Sequence, residues 1–183
     1  MGFSGGSQFI SSPTQIPKGM FLIGEDSVTG TAKQLSVNIP YTRLSYSIRA
    51  YSTGVNLSAP LDATYRLIFN SDTAANYKYT YIRNTGAETA NNSATYVLCG
   101  YGDPDHGAYF SAELSNTATY YKRGIMTSVS VDEAGGNPIN RQLTAFHWYS
   151  GSARITNITL YPNLNATDLS FDVDSYLKVY GAD

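Results

Sequence analysis

Between Tyr65 and Arg83 the chain reads Tyr-Arg-Leu-Ile-Phe-Asn-Ser-Asp-Thr-Ala-Ala-Asn-Tyr-Lys-Tyr-Thr-Tyr-Ile-Arg, two alternating patterns around a short polar connection. Tyr65, Leu67 and Phe69 alternate with Arg66, Ile68 and Asn70, and Tyr77, Tyr79 and Tyr81 alternate with Lys78, Thr80 and Ile82. A period of two places successive side chains on opposite faces, as a strand does and a helix cannot. Asn70, Ser71, Asp72 and Asn76 carry short side chains that hydrogen-bond their own backbone and so end a strand locally. The segment is expected to form a β-hairpin.

The rest of the chain repeats this pattern. Leu35, Val37 and Ile39 alternate, Pro40 interrupts, and Leu44, Tyr46, Ile48 and Ala50 alternate again with Arg43, Ser45, Ser47 and Arg49 opposite. Met20 to Ile23 begins the core, and Gly24-Glu25-Asp26 is expected to turn out of it. Strand signals return at Thr95 to Cys99, at Tyr109 to Leu114 and at Ile125 to Val131, where Ile125, Thr127, Val129 and Val131 share a face. They continue at Leu143 to Tyr149, Arg154 to Tyr161, Leu169 to Val173 and Tyr176 to Tyr180. Asn84 to Asn92 is expected to be an exposed loop, Ser115 to Arg123 a turn or edge strand, and Ala134-Gly135-Gly136-Asn137-Pro138 a break. Sixteen Tyr, sixteen Gly and no long run of helix formers favour strands and turns. The 183 residues make one domain large enough for its own core. About eight to ten short strands at this spacing make an antiparallel β-sandwich or barrel. Residues 1–18, rich in Gly, Ser and Pro, show no period and are expected to be a flexible arm, with the sandwich spanning 19–183. Phe3, Phe9, Ile10 and Ile16 in that arm are candidate partner-binding residues, because apolar side chains on an extended segment gain only when a neighbour covers them.

The run Arg-Leu-Ile-Phe-Asn-Ser-Asp-Thr-Ala-Ala-Asn-Tyr resembles the "Arg-Phe-Asn-Gly-Asp-Thr-Gly-x-Asn-Tyr" signature of a group of tailed-bacteriophage virion proteins, with Ser71 and Ala74 where that group often has Gly. Upstream, Ile39-Pro40-Tyr41-Thr42-Arg43-Leu44 is similar in character to the group's entry strand. Downstream, Ile155 to Leu160 and Tyr176 to Gly181 resemble its closing pair. The resemblance spans roughly residues 35 to 181 and contains no catalytic motif. It implies a jelly-roll-like sandwich in a phage particle. A capsid decoration or cement protein is then expected, bound to the major capsid protein on the outer head surface as an oligomer, a trimer by expectation. A tail- or head-fibre domain that recognises a host glycan is the alternative.

Composition excludes other classes. A formal charge of −2 gives no electrostatic reason to approach nucleic acid, whose phosphates need many Lys and Arg. Tyr120-Tyr121-Lys122-Arg123 interleaves aromatics with bases, as a Tyr-rich strand protein does by chance. Cys99 is the only cysteine, so no intrachain disulfide can form, and the chain is expected to fold in a reducing host cytosol. No basic, apolar leader and no spanning run is present, so neither signal peptide nor membrane anchor is expected.

No catalytic, cofactor-binding or metal-binding residues are expected. His147 lies in phase with Leu143 and Ala145 and reads as a hydrogen-bonded strand residue. His106 sits in the turn Asp103-Pro104-Asp105-His106-Gly107, which offers too few ligands for a metal. Asp172 and Asp174 would share a face only on an unbroken strand, so a hydrolase is a distant third class. The sequons at Asn91, Asn157 and Asn165 are coincidental in an Asn- and Thr-rich chain. Trp148 and Tyr149, beside the turn at Ser150-Gly151, are the candidate glycan-stacking aromatics. Trp148 shares the face of Phe146 and so competes for a place in the core, leaving Tyr149 as the exposed member.

Overall fold

A computed structural model describes residues 19–40, 42–55, 63–84, 86–102, 107–117, 121–132, 137–149, 151–164 and 167–182, and none of them is helical. Phe3, Phe9, Ile10, Ile16 and His106 lie outside the described residues. The strands are β1 (Met20–Ser27), β2 (Leu35–Asn38), β3 (Ser45–Ser52), β4 (Ala63–Phe69), β5 (Tyr77–Arg83), β6 (Thr89–Ala94) and β7 (Val97–Gly102). They continue with β8 (Ala108–Ser115), β9 (Tyr121–Asp132), β10 (Asn137–Tyr149), β11 (Asn157–Leu164), β12 (Thr167–Asp168) and β13 (Tyr176–Ala182). A large sheet runs β1-β13-β3-β8-β9-β10-β5-β6 and a small one β12-β11-β4-β7, with β2 also pairing β11. Neighbouring strands pair antiparallel throughout, as in β3 with β8 and β11 with β4. The chain passes repeatedly from one sheet to the other, and the result is a jelly-roll-like antiparallel sandwich.

The expected hairpin at Tyr65–Arg83 does not form. β4 belongs to the small sheet and β5 to the large one, so the polar connection is an arch that carries the chain across the core. Both strands turn aromatics inward. Tyr65, Leu67, Phe69, Tyr77 and Tyr79 are buried, and Phe69 meets Tyr77 at 6.1 Å, Trp148 at 5.6 Å and Phe146 at 6.0 Å.

The arch is held by its own polar side chains. Asn70 and Ser71 adopt left-handed backbone (φ 53° and 56°), a conformation that costs most residues but suits Asn and glycine. Asn70 Oδ1 accepts the N–H of Thr156 and Asn157, and its amide donates to the Arg154 carbonyl. The buried Tyr77 hydroxyl accepts the Phe69 N–H and donates to the Asp72 carbonyl, closing the arch from beneath.

Other expectations are corrected in place. Gly24 does not turn the chain out of the core. β1 continues through it, with a register shift between Leu22 and Gly24, and pairs with β13; a Cβ at Gly24 would lie 2.6 Å from Val37 Cγ1. Leu44 is exposed, while Tyr46, Ile48 and Ala50 are buried as alternation requires. Part of the Asn84–Asn92 loop is β6, which pairs with β5. Tyr121 to Arg123 belong to a strand flanked by β8 and β10, not to an edge. Leu169 to Val173 makes only isolated bridges at Phe171, and Asp174 sits at φ 68° in a turn, so Asp172 and Asp174 are not on one unbroken strand. Asn157 Nδ2 donates to Ser36 Oγ and Asn38 Oδ1, tying β11 to β2.

Candidate functional site: the outward face of strands β5, β9 and β10

Ile125, Thr127 and Val129 share a face, and that face points outward. Ile125 is 49% and Val129 45% exposed, while Met126, Ser128 and Ser130 on the other side are buried. The inner neighbours explain this. A Cβ on Gly100 of β7 would lie 2.4 Å from Ser128 Oγ, so the sheets approach too closely there for large side chains. β7 is also the last strand of the small sheet, and its carbonyls need donors. Ser130 Oγ donates to the Tyr101 carbonyl at 2.5 Å, and Thr144 Oγ1 to the Leu98 carbonyl at 3.2 Å. Polar side chains therefore fill the interior at this end, and the alternation leaves the apolar residues outside.

The registers order the outward face into rows. Tyr121 lies opposite Tyr149; Arg123, His147 and Lys78 follow across three strands; then Ile125, Ala145 and Thr80; then Thr127, Leu143 and Ile82. The last rows, with Val129 and Ile139, hold five half-exposed aliphatic side chains, Ile82, Ile125, Val129, Ile139 and Leu143, each 42–52% exposed, with Thr127 opposite Leu143 and Arg141 opposite Val129 among them. A cluster of exposed apolar side chains of this kind marks an interaction surface more often than scattered single residues do.

The first rows form an aromatic and basic shelf. The Tyr121 and Tyr149 rings lie 5.5 Å apart at 50°, and each residue is nearly half exposed. Tyr121 meets the His147 ring edge-on at 5.1 Å. A cavity of about 350 Å³ opens over Lys78, Thr80, Asn92, Arg123 and His147, and one of about 290 Å³ over Asn76, Lys78, Tyr121 and Tyr149. The small Ala145 lines the first on the outside, while on the inner side Gly124 leaves room for the Phe146 ring, which a Cβ there would approach to 2.3 Å. Burial, reinforced by the Lys78 and Arg123 charges, pushes the His147 pKa down. His147 is not the hydrogen-bonded strand residue expected, because its Nε2 is buried without a hydrogen-bond partner.

The two expected stacking aromatics part company. Trp148 is a core residue, 3% exposed, whose Nε1 donates to Asp72 Oδ2 at 2.6 Å; it offers no face to a sugar. Asp72 also accepts from Asn76 Nδ2 and the Ala74 N–H; burial alone would raise its pKa, but these bonds outweigh it and hold the carboxyl below the usual range. Tyr149 is exposed. Tyr121, Lys78 and Arg123, its companions on the shelf, come from β9 and β5, and only the register brings them together.

Lys122 points the other way, fully buried opposite Trp148, where desolvation and then the Arg154 charge lower its pKa. Cys99 is buried and its thiol pKa is pushed up by desolvation, which leaves it a poor nucleophile. Among the described residues no group of three His, Cys, Asp or Glu could hold a metal, and no helix is long and apolar enough to cross a membrane.

No protein-family model matches the sequence, and no curated protein matches it. Among solved structures the chain is similar to Scytalido-glutamic peptidase, at 14% identity and TM-score 0.32, over 83% of this chain and 74% of that one. It is also similar to the binding domain of botulinum neurotoxin DC, at 10% identity and TM-score 0.29, over 86% of this chain but only 42% of that one. The CBM2 module of the evolved Dit of Lactobacillus casei BL23 phage J-1 aligns at 11% identity and TM-score 0.20, over 93% and 94% of the two chains. At such scores none of these likenesses carries a function to this chain.

Proposed function

We propose that the chain is a non-enzymatic structural protein of a tailed-phage particle that packs against other virion subunits as an oligomer, in the manner of a capsid decoration protein. The observation that carries this is the apolar cluster of Ile82, Ile125, Val129, Ile139 and Leu143 on the outside of the large sheet. Fully burying one such side chain contributes roughly 1.5–3 kcal/mol, and half-exposed ones contribute proportionately less, so several together give a partner subunit a sizeable apolar contact. The sequence resemblance supplies the virion context, and the arm residues Phe3, Phe9, Ile10 and Ile16 would add a second contact to the major capsid protein or a sister subunit.

The test pairs native mass spectrometry with copy number per particle. The wild-type chain should assemble, as a trimer by expectation, and occupy particles in hundreds of copies. Leu143→Lys with Ile125→Lys should remain folded yet fail to assemble or attach. A monomeric wild-type protein present in a handful of copies would overturn the proposal. A second reading, recognition of a host-surface glycan, is favoured by the paired, exposed Tyr121 and Tyr149 rings beside a polar cavity.

A further inference from the structure

We infer that the shelf formed by Tyr121, Tyr149, Lys78 and Arg123 is a binding site for an acidic saccharide, one that carries a carboxylate or sulfate on its ring. The inference rests on the glycan reading above and adds the charge of the sugar. Two observations combine. Tyr121 and Tyr149 present adjacent rings, and the partly positive C–H face of a pyranose packs on the negative face of an aromatic ring. In the very next row, Arg123 and Lys78 flank His147 across the strands, so two fixed cations stand beside the rings. This row is basic against the trend of a chain with net charge −2.

The surrounding acids do not neutralise it. Among the described residues neither cavity is lined by Asp or Glu. Glu113, on the adjacent strand β8, turns to β3 instead, where Oε1 accepts from Ser47 Oγ at 2.8 Å and meets Arg49 at 3.4 Å. The Asp72 carboxylate accepts from Trp148, Asn76 and Ala74. An anion placed between Lys78 and Arg123 would receive charge-assisted hydrogen bonds, while Thr80, Asn76 and Asn92 offer neutral partners for hydroxyls. Cavities of 290–350 Å³ are at the small end of ligand sites and fit one or two sugar rings. A nucleic-acid strand fits less well, because its affinity depends on neutralising many phosphates and the row supplies only two fixed charges.

The experiment is titration of the full-length protein with uronic-acid oligosaccharides, sulfated oligosaccharides, neutral glucan oligosaccharides and oligothymidylate. The expected result is binding of an acidic series, carboxylated or sulfated, that weakens with salt. Lys78→Ala and Arg123→Ala should each weaken it by about tenfold, as loss of one charged hydrogen bond predicts. Tyr149→Ala should weaken it as well. All three side chains are exposed, and unchanged circular dichroism would confirm that each variant is folded. Binding of neutral glucans alone, or acidic binding untouched by both charge variants, would overturn the inference while leaving the glycan reading standing. Binding of no saccharide at all would overturn both, and preference for oligothymidylate would replace the sugar with a nucleic acid.

Discussion

The two ends of the β9–β10 pair are built with opposite polarity. At the Tyr121–Tyr149 end, Phe146 and Trp148 face inward and Arg123 and His147 outward. At the Val129–Ile139 end, Ser128, Ser130, Asn140 and Gln142 are buried while Val129, Ile139 and Leu143 face solvent. The difference lies in what opposes each end. The aromatic end lies beneath the arch, where Phe69 across the core and Tyr77 on the neighbouring strand offer rings to pack on; the polar end faces β7, where Gly100 comes close to Ser128 and carbonyls need donors. Hydrophobicity alone does not decide which face of a strand is buried. One sheet surface thereby acquires two regions of different chemistry, a basic aromatic shelf and an apolar cluster.

The sharpest way to break this comparison is to truncate neighbours on opposite faces. Trp148→Ala should cost about 3–5 kcal/mol, since it leaves a cavity against Phe69 and Tyr77 and strips Asp72 of a donor. Tyr149→Ala, one residue on, should fall within about 0.5 kcal/mol of wild type. Equal losses in urea denaturation would mean that the inward and outward assignments are wrong. A smaller effect is expected at the polar end. Thr144→Val keeps the shape but removes both the acceptor of Gln142 Nε2 and the donor to the Leu98 carbonyl, leaving these two groups only their 3.4 Å bond to each other, a loss of about 1–3 kcal/mol for two buried hydrogen bonds. Thr127→Val, outside, should change stability little. A stabilised Thr144→Val protein would show that the interior there tolerates apolar groups and that the polarity needs another cause.

The same contrast explains what was legible in the sequence. The all-β sandwich followed from Tyr, Thr and turn residues, and alternation identified most strands, because a strand writes its period into the chain whatever it pairs with. Pairing is not written there. Tyr65–Arg83 has the same period in a hairpin as in an arch; the clue was the length of the connection, residues 70–76, against about two to five residues usual in hairpins. The direction in which the shared face of β9 points is not written there either, since Ile125 and Val129 look like a core face until the close approach of Gly100 to Ser128 is known. The shelf was half visible. Tyr149 stands out beside a turn, and Trp148, in phase with Phe146, reads as a competitor for the core, but Lys78, Tyr121 and Arg123 are distant in sequence and meet only through the strand register.

The smallest effect expected concerns His147, and it tests whether the basic row is as tightly set as the registers imply. The groups that face it are Lys78 on β5, Arg123 on β9 and the ring of Tyr121. Burial first, then Lys78 and Arg123, hold its pKa below the ordinary value of 6.5. The unfolded chain, without those neighbours, takes up the proton at a higher pH than the folded one. Stability should therefore decrease as pH falls from neutrality through the unfolded pKa, and this decline should level off below the folded pKa, where both states are protonated. His147→Gln removes this contribution, so the stability difference between variant and wild type should shift in the variant's favour as the pH is lowered through that window. Lys78→Ala should raise the His147 pKa toward its ordinary value in an NMR titration, because one of the two repelling charges is gone. An unmoved pKa in Lys78→Ala would mean that the lysine side chain swings clear of the imidazole, and that the row joins its charges less closely than the pairing of Lys78 with His147 suggests.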